Sequence, residues 1–468
     1  MLFELLKIVN RGIKDKLNLK VKGGFIESVL FFLKGKVDNA IITVQCKNNI
    51  KVKIMYIEIP EKVNRILKQL EKAGYPAYIV GGCVRDSILG RKPTDWDITT
   101  KATPCQVKDL FRRTIDTGIE HGTVTVMLGN EGYEVTTYRI DGLYEDSRHP
   151  KEVTFTEDLK EDLRRRDFTI NAMAYNSQEG LIDIFDGVED SKKRLIRAVG
   201  NPQERFQEDA LRLMRALRFS AQLGYQIEAN TKQAILEMAK DLDKISAERV
   251  QIELIKLITS PHPEVLKEAY RLGVTKVILP EIDQIMKSKE EGEKLMQRMQ
   301  KVPEDKIYRL TILFSELGKE TAIKIGKRLK MDNATIKLVS TLVAYFSYQP
   351  ELIESSIRKA IYEIGEDAYP YLYQLKKAKI LASGVEKEEE RNEEANKIYE
   401  KILERGDCLS LHGMNLSGND LLALGLKPGK EVGKILYSLL EIVLEDPRKN
   451  TKEELEKIAK KMIANTGD

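Results

Sequence analysis

The 468-residue sequence predicts an α+β fold in which a head with a mixed β-sheet is followed by an elongated all-α region. Between about residues 75 and 186, short apolar strands alternate with helices and turns that contain glycine. After about residue 202, one helical pattern follows another, with apolar residues recurring every three or four positions. The chain is too long for one ordinary hydrophobic core, so several domains are expected.

Each expected element follows from a local pattern. Residues 60–73 have the apolar spacing of a helix, and Gly74 ends it. The strands of the head are expected at residues 77–80, 95–99, 122–127 and 133–138. The first helices of the all-α region are expected at residues 211–219, 231–242, 247–258 and 263–272.

Changes in composition along the chain divide it into five segments. They are a basic N-terminal extension (1–55), the head (56–200), a helical neck (201–272), a helical body (273–395) and a helical tail (396–468). Within the body, the run of charges at 386–394 predicts an exposed helix face.

Composition also narrows the class of protein. The formal net charge is only +4, so binding to a nucleic acid requires a local basic surface. No apolar stretch can span a bilayer and no secretory signal is visible, so a cytoplasmic protein that does not bind membranes is expected. The cysteines lack the spacing of a zinc site and are expected to be reduced thiols: Cys46, Cys83, Cys105 and Cys408.

A glycine turn is the first candidate binding element. Gly81 and Gly82 follow an apolar strand and open a helix, so the backbone can come close to a phosphate and helix N–H groups can face it. Arg85, one turn into that helix, can donate two hydrogen bonds to phosphate oxygens. Taken alone, two glycines before a helix more often form a plain tight turn.

Two acidic residues downstream favour phosphate binding. Asp95 and Asp97 are separated by one residue in a predicted strand, so both carboxylates are expected on one face, where they would repel each other. Mg²⁺ prefers such oxygen ligands and also binds substrate phosphates. Glu134, expected to open a nearby strand, is either a third catalytic carboxylate or a surface residue. Two metal ions here would support nucleotidyl transfer, one at the attacking hydroxyl and one at the triphosphate.

Four motifs, at residues 81–86, 95–97, 165–174 and 208–219, resemble those of the class II CCA-adding enzymes. These enzymes belong to the poly(A) polymerase and tRNA nucleotidyltransferase group of the polymerase β superfamily. The motifs occur in the family's order over roughly 56–250, and weaker similarity continues to the C-terminus. The resemblance implies that the head is a nucleotidyltransferase domain.

The resemblance also implies roles for particular residues. Asp95 and Asp97 would bind Mg²⁺, and Gly82 and Arg85 would contact the triphosphate. The other implied contacts are with the nucleotide and its ribose (Arg166, Asp167) and with the base and phosphates (Asp209, Arg212, Arg215, Arg218). Residues 245–250 resemble the motif that braces the neck, and 141–150 the flexible loop that helps switch from C to A addition, with His149 where many members have Arg.

Hydrogen-bond chemistry explains how Asp209 and Arg212 could select a base. A carboxylate only accepts and a guanidinium only donates hydrogen bonds. Cytosine and adenine both present an amino donor beside a ring-nitrogen acceptor, which this pair complements. Uracil and guanine present the reverse order and would leave buried polar groups unpaired, at a cost of about 1–3 kcal/mol each. The pair is also expected to share one helix face with Arg215 and Arg218, because the four residues are spaced by three.

The sequence therefore predicts a Mg²⁺-dependent enzyme that adds CCA to the 3′ end of tRNA from CTP and ATP. The alternatives within this chemistry are an A-adding or CC-adding partial enzyme and a bacterial poly(A) polymerase. A non-catalytic RNA-binding protein is disfavoured by the intact acidic pair, and a small-molecule nucleotidyltransferase by the long helical region. By the same resemblance, body and tail would bind the acceptor and T arms of tRNA. The sequence is compatible with either a monomer or a homodimer.

The N-terminal extension has no counterpart in the family pattern. It contains ten Lys and one Arg against four acidic residues, which is compatible with a basic arm that binds RNA. The favoured interpretation is that translation begins at Met55, because the residues that follow it resemble a family start.

Overall fold

The computed structural model describes residues 37–38, 41–45, 51–142, 153–383 and 386–465. Contacts divide the chain into two compact units. The first runs to Ser246 and includes Arg271–Val277, and the second comprises Ala247–Tyr270 and the chain from Ile278 onwards.

The described strands all belong to the first unit, and half of them form one seven-stranded mixed sheet with the order β12-β11-β4-β5-β8-β7-β6. In this sheet β5 and β8 run parallel, and the other neighbouring strands are antiparallel. The smaller sheets are β1-β2-β3, β9-β10 and the parallel pair β13-β14. The bounds are β1 Val37–Asp38, β2 Ile41–Gln45, β3 Lys51–Met55, β4 Ala77–Val80, β5 Ile98–Thr100, β6 Thr114–Gly118, β7 Thr123–Leu128, β8 Glu131–Thr137, β9 Arg139–Asp141, β10 Val153–Phe155, β11 Met173–Asn176, β12 Gly180–Asp183, β13 Leu195–Ile196 and β14 Gln226–Ile227.

Eight helices of the first unit surround or follow this sheet. They are α1 Glu61–Lys72, α2 Gly82–Ile88, α3 Pro104–Leu110, α4 Leu159–Arg164, α5 Gly187–Lys193, α6 Pro202–Glu208, α7 Leu211–Leu223 and α8 Ala229–Met238, with 3₁₀ turns at Ile119–His121, Thr169–Asn171 and Ala239–Lys244. The apolar face of α1 is buried in the same core as Ile79 and Ile98 of the central strands. Because both neighbours of β4 and β5 are strands and their faces are covered, every residue of these two strands is buried, rather than every second one.

The second unit is built from helices. They are α9 Ala247–Ile258, α10 Leu266–Arg271, α11 Val274–Ile278, α12 Pro280–Met286, α13 Lys289–Gln300, α14 Lys306–Phe314, α15 Lys319–Arg328, α16 Asn333–Tyr345, α17 Glu354–Ile364, α18 Tyr369–Ser383, α19 Glu386–Arg405, α20 Gly418–Ala423, α21 Lys430–Glu445 and α22 Lys452–Asn465, of which the end of α10 and most of α11 belong to the first unit. Side chains cap several of them; Ser417 and Asp420, for example, form a reciprocal capping box at the start of α20. Within the described ranges, no helix has the length and apolar character that crossing a membrane requires.

The predicted fold class, a mixed-sheet head followed by helices, is confirmed, and two elements match residue by residue: strand 77–80 and helix 247–258. The strand predicted at 95–99 is wrong at its start, because β5 begins only at Ile98. The strand predicted to open at Glu134 begins three residues earlier, so Glu134 lies in the middle of β8. Residues 143–150 of the predicted loop lie outside the described residues.

Gly187 allows a close approach that fixes the 3₁₀ turn at Thr169–Asn171. A Cβ atom at Gly187 would lie 2.3 Å from the Thr169 carbonyl oxygen and 2.9 Å from Met173 Cγ. By contrast, Gly129, in the turn between β7 and β8, has a φ of +69° and nothing within 4 Å of an added Cβ.

We therefore expect Gly187→Ala to lower the free energy of unfolding by about 3 kcal/mol, because backbone must move to admit the methyl group. Gly129→Ala should cost only about 1 kcal/mol, from the strained positive φ. Chemical denaturation of both variants would test this. Equal losses in the two variants would contradict the proposed close packing.

Candidate active site

Three carboxylates, those of Asp95, Asp97 and Glu134, lie near the point where β5 begins, at an end of the head strands that we call the acidic edge. Ile98 of β5 pairs in parallel register with Val135 of β8, so the preceding residues, Asp97 and Glu134, are side by side. The Asp97 carbonyl still accepts a hydrogen bond from the Val80 N–H at 3.0 Å, which keeps the chain extended up to that point. Asp95 lies two residues earlier, in the segment before the strand. Sheet register therefore places Asp97 beside Glu134, and Asp95 lies near enough for its charge to act on both.

Desolvation and neighbouring negative charge raise the pKa values of Asp97 and Glu134. Asp97 remains accessible to solvent, but the protein atoms around it partly desolvate its carboxylate and raise its pKa. The negative charge of Asp95 raises this pKa further, while Arg166 opposes the shift. Desolvation, followed by the charges of Asp97 and Asp95, likewise raises the pKa of Glu134. The edge thus carries more negative charge than its protein surroundings balance.

This imbalance fits a divalent cation. Nowhere in the described ranges are three Asp, Glu, His or Cys side chains gathered closely enough to hold a metal ion by themselves. A cation at Asp95 and Asp97 would therefore complete its coordination with water and substrate oxygens, which is typical of Mg²⁺ sites that serve phosphate chemistry.

The glycine turn lies beside this edge, and Arg166 connects the two. Gly81 has a φ of +79°, and a Cβ atom there would lie 3.2 Å from Arg166 Nη1, so both its conformation and its neighbour favour glycine. Arg85 is buried and donates to Asn171 Oδ1 at 2.6 Å and to the Asp86 carboxylate at 2.9 and 3.0 Å. At Gly82, by contrast, an added Cβ would lie 3.7 Å from Arg85 Nη2, which is an ordinary van der Waals distance.

Asp162, which the sequence reasoning missed, holds Arg166 in place. It is fully buried and accepts hydrogen bonds from Thr99, Arg165 and Arg166 at 2.7–3.3 Å. Burial alone would raise its pKa, but the two arginines and Thr99 outweigh this effect and lower it. The available signal was its spacing of three and four residues from the arginines, which places them together at the end of α4.

Asp167 is paired with Arg215. Its Oδ2 accepts from Arg215 Nε at 2.8 Å, and its Oδ1 accepts from the Phe168 N–H and from Asn171 at 2.8 and 3.1 Å. Burial by itself would raise the pKa of Asp167, but Arg215 and Asn171 reverse the shift and lower it to about 2. Both carboxylate oxygens are therefore engaged with the protein.

The predicted base-selecting residues do not all lie on one helix. Helix α7 begins at Leu211, so Asp209 precedes it, and its Oδ1 accepts a hydrogen bond from the Leu211 N–H at 3.0 Å. The prediction that Asp209 shares a helix face with the arginines is therefore wrong. Asp209 instead takes the local hydrogen-bonding role that short acidic side chains favour before a helix.

Arg212 lies in the first turn of α7 with its guanidinium largely buried. It donates to the carbonyls of Arg205 and Arg165 at 3.0 and 2.9 Å and forms an ion pair with Glu208. These three bonds use both hydrogens of Nη1 and one of Nη2. Since a guanidinium has five N–H groups, Nε–H and one Nη2–H remain as donors.

Phe219 is a second residue that the sequence reasoning missed. Its ring lies 3.8 Å from the guanidinium carbon of Arg218, 5.2 Å from that of Arg85 and 5.4 Å from that of Arg215. Phe168 packs edge-on against it, with ring centroids 5.8 Å apart. The aromatic face thus gathers three predicted nucleotide-binding arginines, which would otherwise repel one another. No periodicity signals this, because Phe219 also reads as an ordinary core residue.

Acidic residues at the edge of a mixed sheet, a glycine turn and an arginine-bearing helix define this chain as a nucleotidyltransferase. Models of three families match it: "Poly A polymerase head domain" over 77–197, "Probable RNA and SrmB- binding site of polymerase A" over 224–286, and "tRNA nucleotidyltransferase domain 2" over 300–459.

Whole-chain relatives agree with these models. The CCA-adding enzyme of Lactobacillus helveticus is 36% identical over 401 residues, which cover 85% of this chain and 96% of the relative. That of Enterococcus faecalis is 38% identical over 409 residues, covering 85% and 94%. The crystal structure of the Bacillus stearothermophilus CCA-adding enzyme in complex with CTP superposes with a TM-score of 0.74 at 29% identity, covering 87% of this chain and 98% of that one. This chain belongs to the CCA-adding enzyme family, whose nucleotidyl transfer implies a divalent metal ion.

The raised pKa of Asp97 yields a prediction about stability. Because this pKa is higher in the folded state than its ordinary value of 3.8, the ionised carboxylate weakens the fold at neutral pH. We expect Asp97→Asn to raise the thermal unfolding midpoint at pH 7.5 in the presence of EDTA. The gain should disappear as the pH falls towards 3.8, where the wild-type carboxyl becomes protonated.

The same unfolding midpoints, measured with Mg²⁺ in place of EDTA, test whether Asp97 binds the cation. Adding Mg²⁺ should raise the midpoint of the wild type and leave that of Asp97→Asn nearly unchanged, because the variant has lost one ligand. Glu120→Gln, which removes an exposed carboxylate elsewhere in the head, serves as the control and should respond to Mg²⁺ like the wild type. A lower midpoint for Asp97→Asn in EDTA would count against the electrostatic argument.

Proposed function

We propose that this chain adds CCA to the 3′ end of tRNA without a nucleic-acid template, using CTP and ATP and releasing pyrophosphate. The observation that carries the proposal is the acidic edge of Asp95, Asp97 and Glu134, in a chain similar to CCA-adding enzymes over 85% of its length. The CTP complex of the Bacillus stearothermophilus enzyme supports the choice of nucleotide.

Asp95 and Asp97 are proposed to hold Mg²⁺, with Glu134 as the third carboxylate of the site. When bound, the metal supplies Lewis-acid stabilisation of the charge that develops on the attacking and leaving oxygens. The carboxylates contribute an anionic edge whose repulsion a cation relieves, which is supported by the raised pKa values of Asp97 and Glu134. The edge also disfavours the approach of a triphosphate without its cation, which ties nucleotide binding to metal binding.

The triphosphate is proposed to lie beside the glycine turn. Gly81 and Gly82 keep the backbone open there, and Arg85 and Arg166 supply positive charge. Arg166 Nε is buried without a hydrogen-bond partner in the described part of the chain, and a nucleotide oxygen is a suitable acceptor for it. Asp167, with both oxygens engaged, is proposed to act on the nucleotide and its ribose by positioning Arg215.

Base selection is proposed to rest on Asp209 and Arg212, flanked by Arg215 and Arg218. Asp209 can accept further hydrogen bonds besides that of Leu211, because a carboxylate offers about four acceptor sites. Arg212 retains two donors after its bonds to the protein. One acceptor and one donor fixed side by side match cytosine and adenine alike, so two nucleotides can be accepted by one protein surface.

The direct test uses tRNA transcripts that lack the 3′ CCA, incubated with CTP and ATP singly and together. We expect products ending in CC with CTP alone and in CCA with both nucleotides. Asp95→Ala and Asp97→Ala should each lower the rate by about a thousandfold or more, since losing metal stabilisation removes several kcal/mol. Glu120→Ala serves as the matched control and should retain the wild-type rate. Long A tails, or products of C or A only, would instead identify a poly(A) polymerase or a partial enzyme.

Exchanging the two base-selecting residues tests the selection model. The double variant Asp209→Arg with Arg212→Asp should shift incorporation towards GTP and UTP, because donor and acceptor have changed places. Asp209→Asn, which keeps the shape but adds a donor, should lower kcat/KM for both CTP and ATP. Single-nucleotide incorporation assays measure both effects. An unchanged preference for C and A in the double variant would refute the pairing.

A further inference from the structure

A cavity in the second unit is lined by three positively charged side chains. Its wall is formed by residues 346–350, which follow α16, together with parts of α18 and α19. Lys376 and Lys379 enter it from α18, where a spacing of three places them on one side of the helix, and Arg391 enters it from α19. These residues fall within none of the four motifs and contribute nothing to the nucleotide site of the head.

The partners of these cations are neutral. Lys379 Nζ donates to Ser347 Oγ at 2.9 Å and lies 5.3 Å from the centre of the Phe346 ring. Arg391 Nη2 donates to the Pro350 carbonyl at 2.8 Å. Over the ranges that the structure describes, Lys376 has neither a hydrogen-bond acceptor nor an ion-pair partner, and no carboxylate forms an ion pair with any of the three. Glu388 also lines the wall but pairs with none of them.

This arrangement is electrostatically costly without an anion. Burial, and then the charges of Lys379 and Arg391, lower the pKa of Lys376 to about 8. Below that pH, three positive charges face one cavity, and Glu388 is the single acidic residue among the described residues of its wall. Structural cations in this unit behave differently: buried Arg358, for example, pairs with the nearly buried carboxylate of Asp407 at 3.0 Å.

We propose that this cavity binds a phosphate group. A phosphate has enough oxygens to accept from three separate cations at once, and Arg and Lys are the side chains that most often bind it. The wall also offers neutral polar groups, among them the hydroxyls of Ser347 and Tyr348. The phosphate could belong to the backbone of tRNA or be a free phosphate, and the two sources separate in the test below. The first source rests on the proposed function, whereas the second does not.

Inorganic phosphate is the first probe, compared with chloride at equal ionic strength in thermal unfolding of the full chain. Lys376→Met removes the unpaired charge. Lys377→Met is the matched control, because this neighbouring ammonium lies 5.9 Å from the Tyr373 ring and is not part of the cavity wall. If the cavity binds phosphate, the rise in midpoint should be smaller in Lys376→Met than in the control. Phosphate that binds in the head contributes equally to both variants and cancels.

Without phosphate, Lys376→Met should unfold at a midpoint no lower than that of the wild type, since it loses a desolvated charge with no partner. This result would show that the variant folds.

Binding of tRNA is the second probe. If the phosphate belongs to tRNA, Lys376→Met should weaken binding several-fold and reduce the slope of log Kd against log salt by about one, the change expected for one lost contact. Lys377→Met should leave both quantities unchanged. If phosphate raises the unfolding midpoint of Lys376→Met less than that of the control, but the slope of log Kd for tRNA against log salt is unchanged, the ligand is free phosphate.

The proposal would be overturned if Lys376→Met and Lys377→Met showed the same rise in midpoint with phosphate and the same affinity and salt dependence for tRNA. The rate of CCA addition should stay at the wild-type level in Lys377→Met, because the chemistry is assigned to the head and Lys377 is not part of the cavity wall. A wild-type chain that fails to add CCA would defeat the proposed function yet leave the phosphate measurement fully interpretable.

Discussion

The ion pair between Asp167 and Arg215 is the contact that holds together the elements of the proposed nucleotide site in the head. It joins the segment after α4 to helix α7, and Asn171 extends it by donating to Asp167 at 3.1 Å while accepting from Arg85 at 2.6 Å. Helix α2, the turn at Thr169–Asn171 and α7 are thereby held in one arrangement. Because the pKa of Asp167 is lowered to about 2, the pair stabilises the fold above pH 3.8 and weakens as the pH falls through about 2.

The carboxylates of the head fall into two sets: some are paired with arginines, and others have no such partner among the described residues. Asp162 and Asp167 are buried and matched by arginines, so their pKa values fall, and they serve to position other groups. At the acidic edge, desolvation and neighbouring negative charge together outweigh the positive charge nearby, so the pKa values of Asp97 and Glu134 rise. Arg166 stands between the two sets, since it contacts Asp162 and also attracts Asp97. A rigid, neutralised interior thus presents an acidic edge that remains able to bind a cation.

The sequence predicted elements that depend on local patterns, but not contacts between residues that are far apart in the chain. Strand β4 and helix α9 were predicted residue by residue, because apolar periodicity and glycine signals lie within the elements themselves. The start of β5 was misjudged, because alternation of polar and apolar residues continues through Asp95 although strand pairing does not. The position of Asp209 depends on where α7 begins. Asp162 and Phe219 contact arginines close to them in sequence, but they also contact distant residues: Thr99 in the case of Asp162, and Arg85 and Phe168 in the case of Phe219. Side-chain identity alone does not reveal such pairings.

In the second unit too, charged side chains differ in whether the fold itself supplies their hydrogen-bond and ion-pair partners. Arg358 is as charged as Lys376 and more deeply buried, but it donates to the carbonyls of Leu444 and Glu445 as well as to Asp407. Its charge is satisfied within the fold, so it needs no ligand, and removing it would leave Asp407 short of a partner. Lys376 has no such partners in the described part of the chain, and folding alone gives no reason to bury it there. The charges that the fold leaves unbalanced, at the acidic edge of the head and in the basic cavity of the second unit, are therefore the places where we propose that ligands of opposite charge bind.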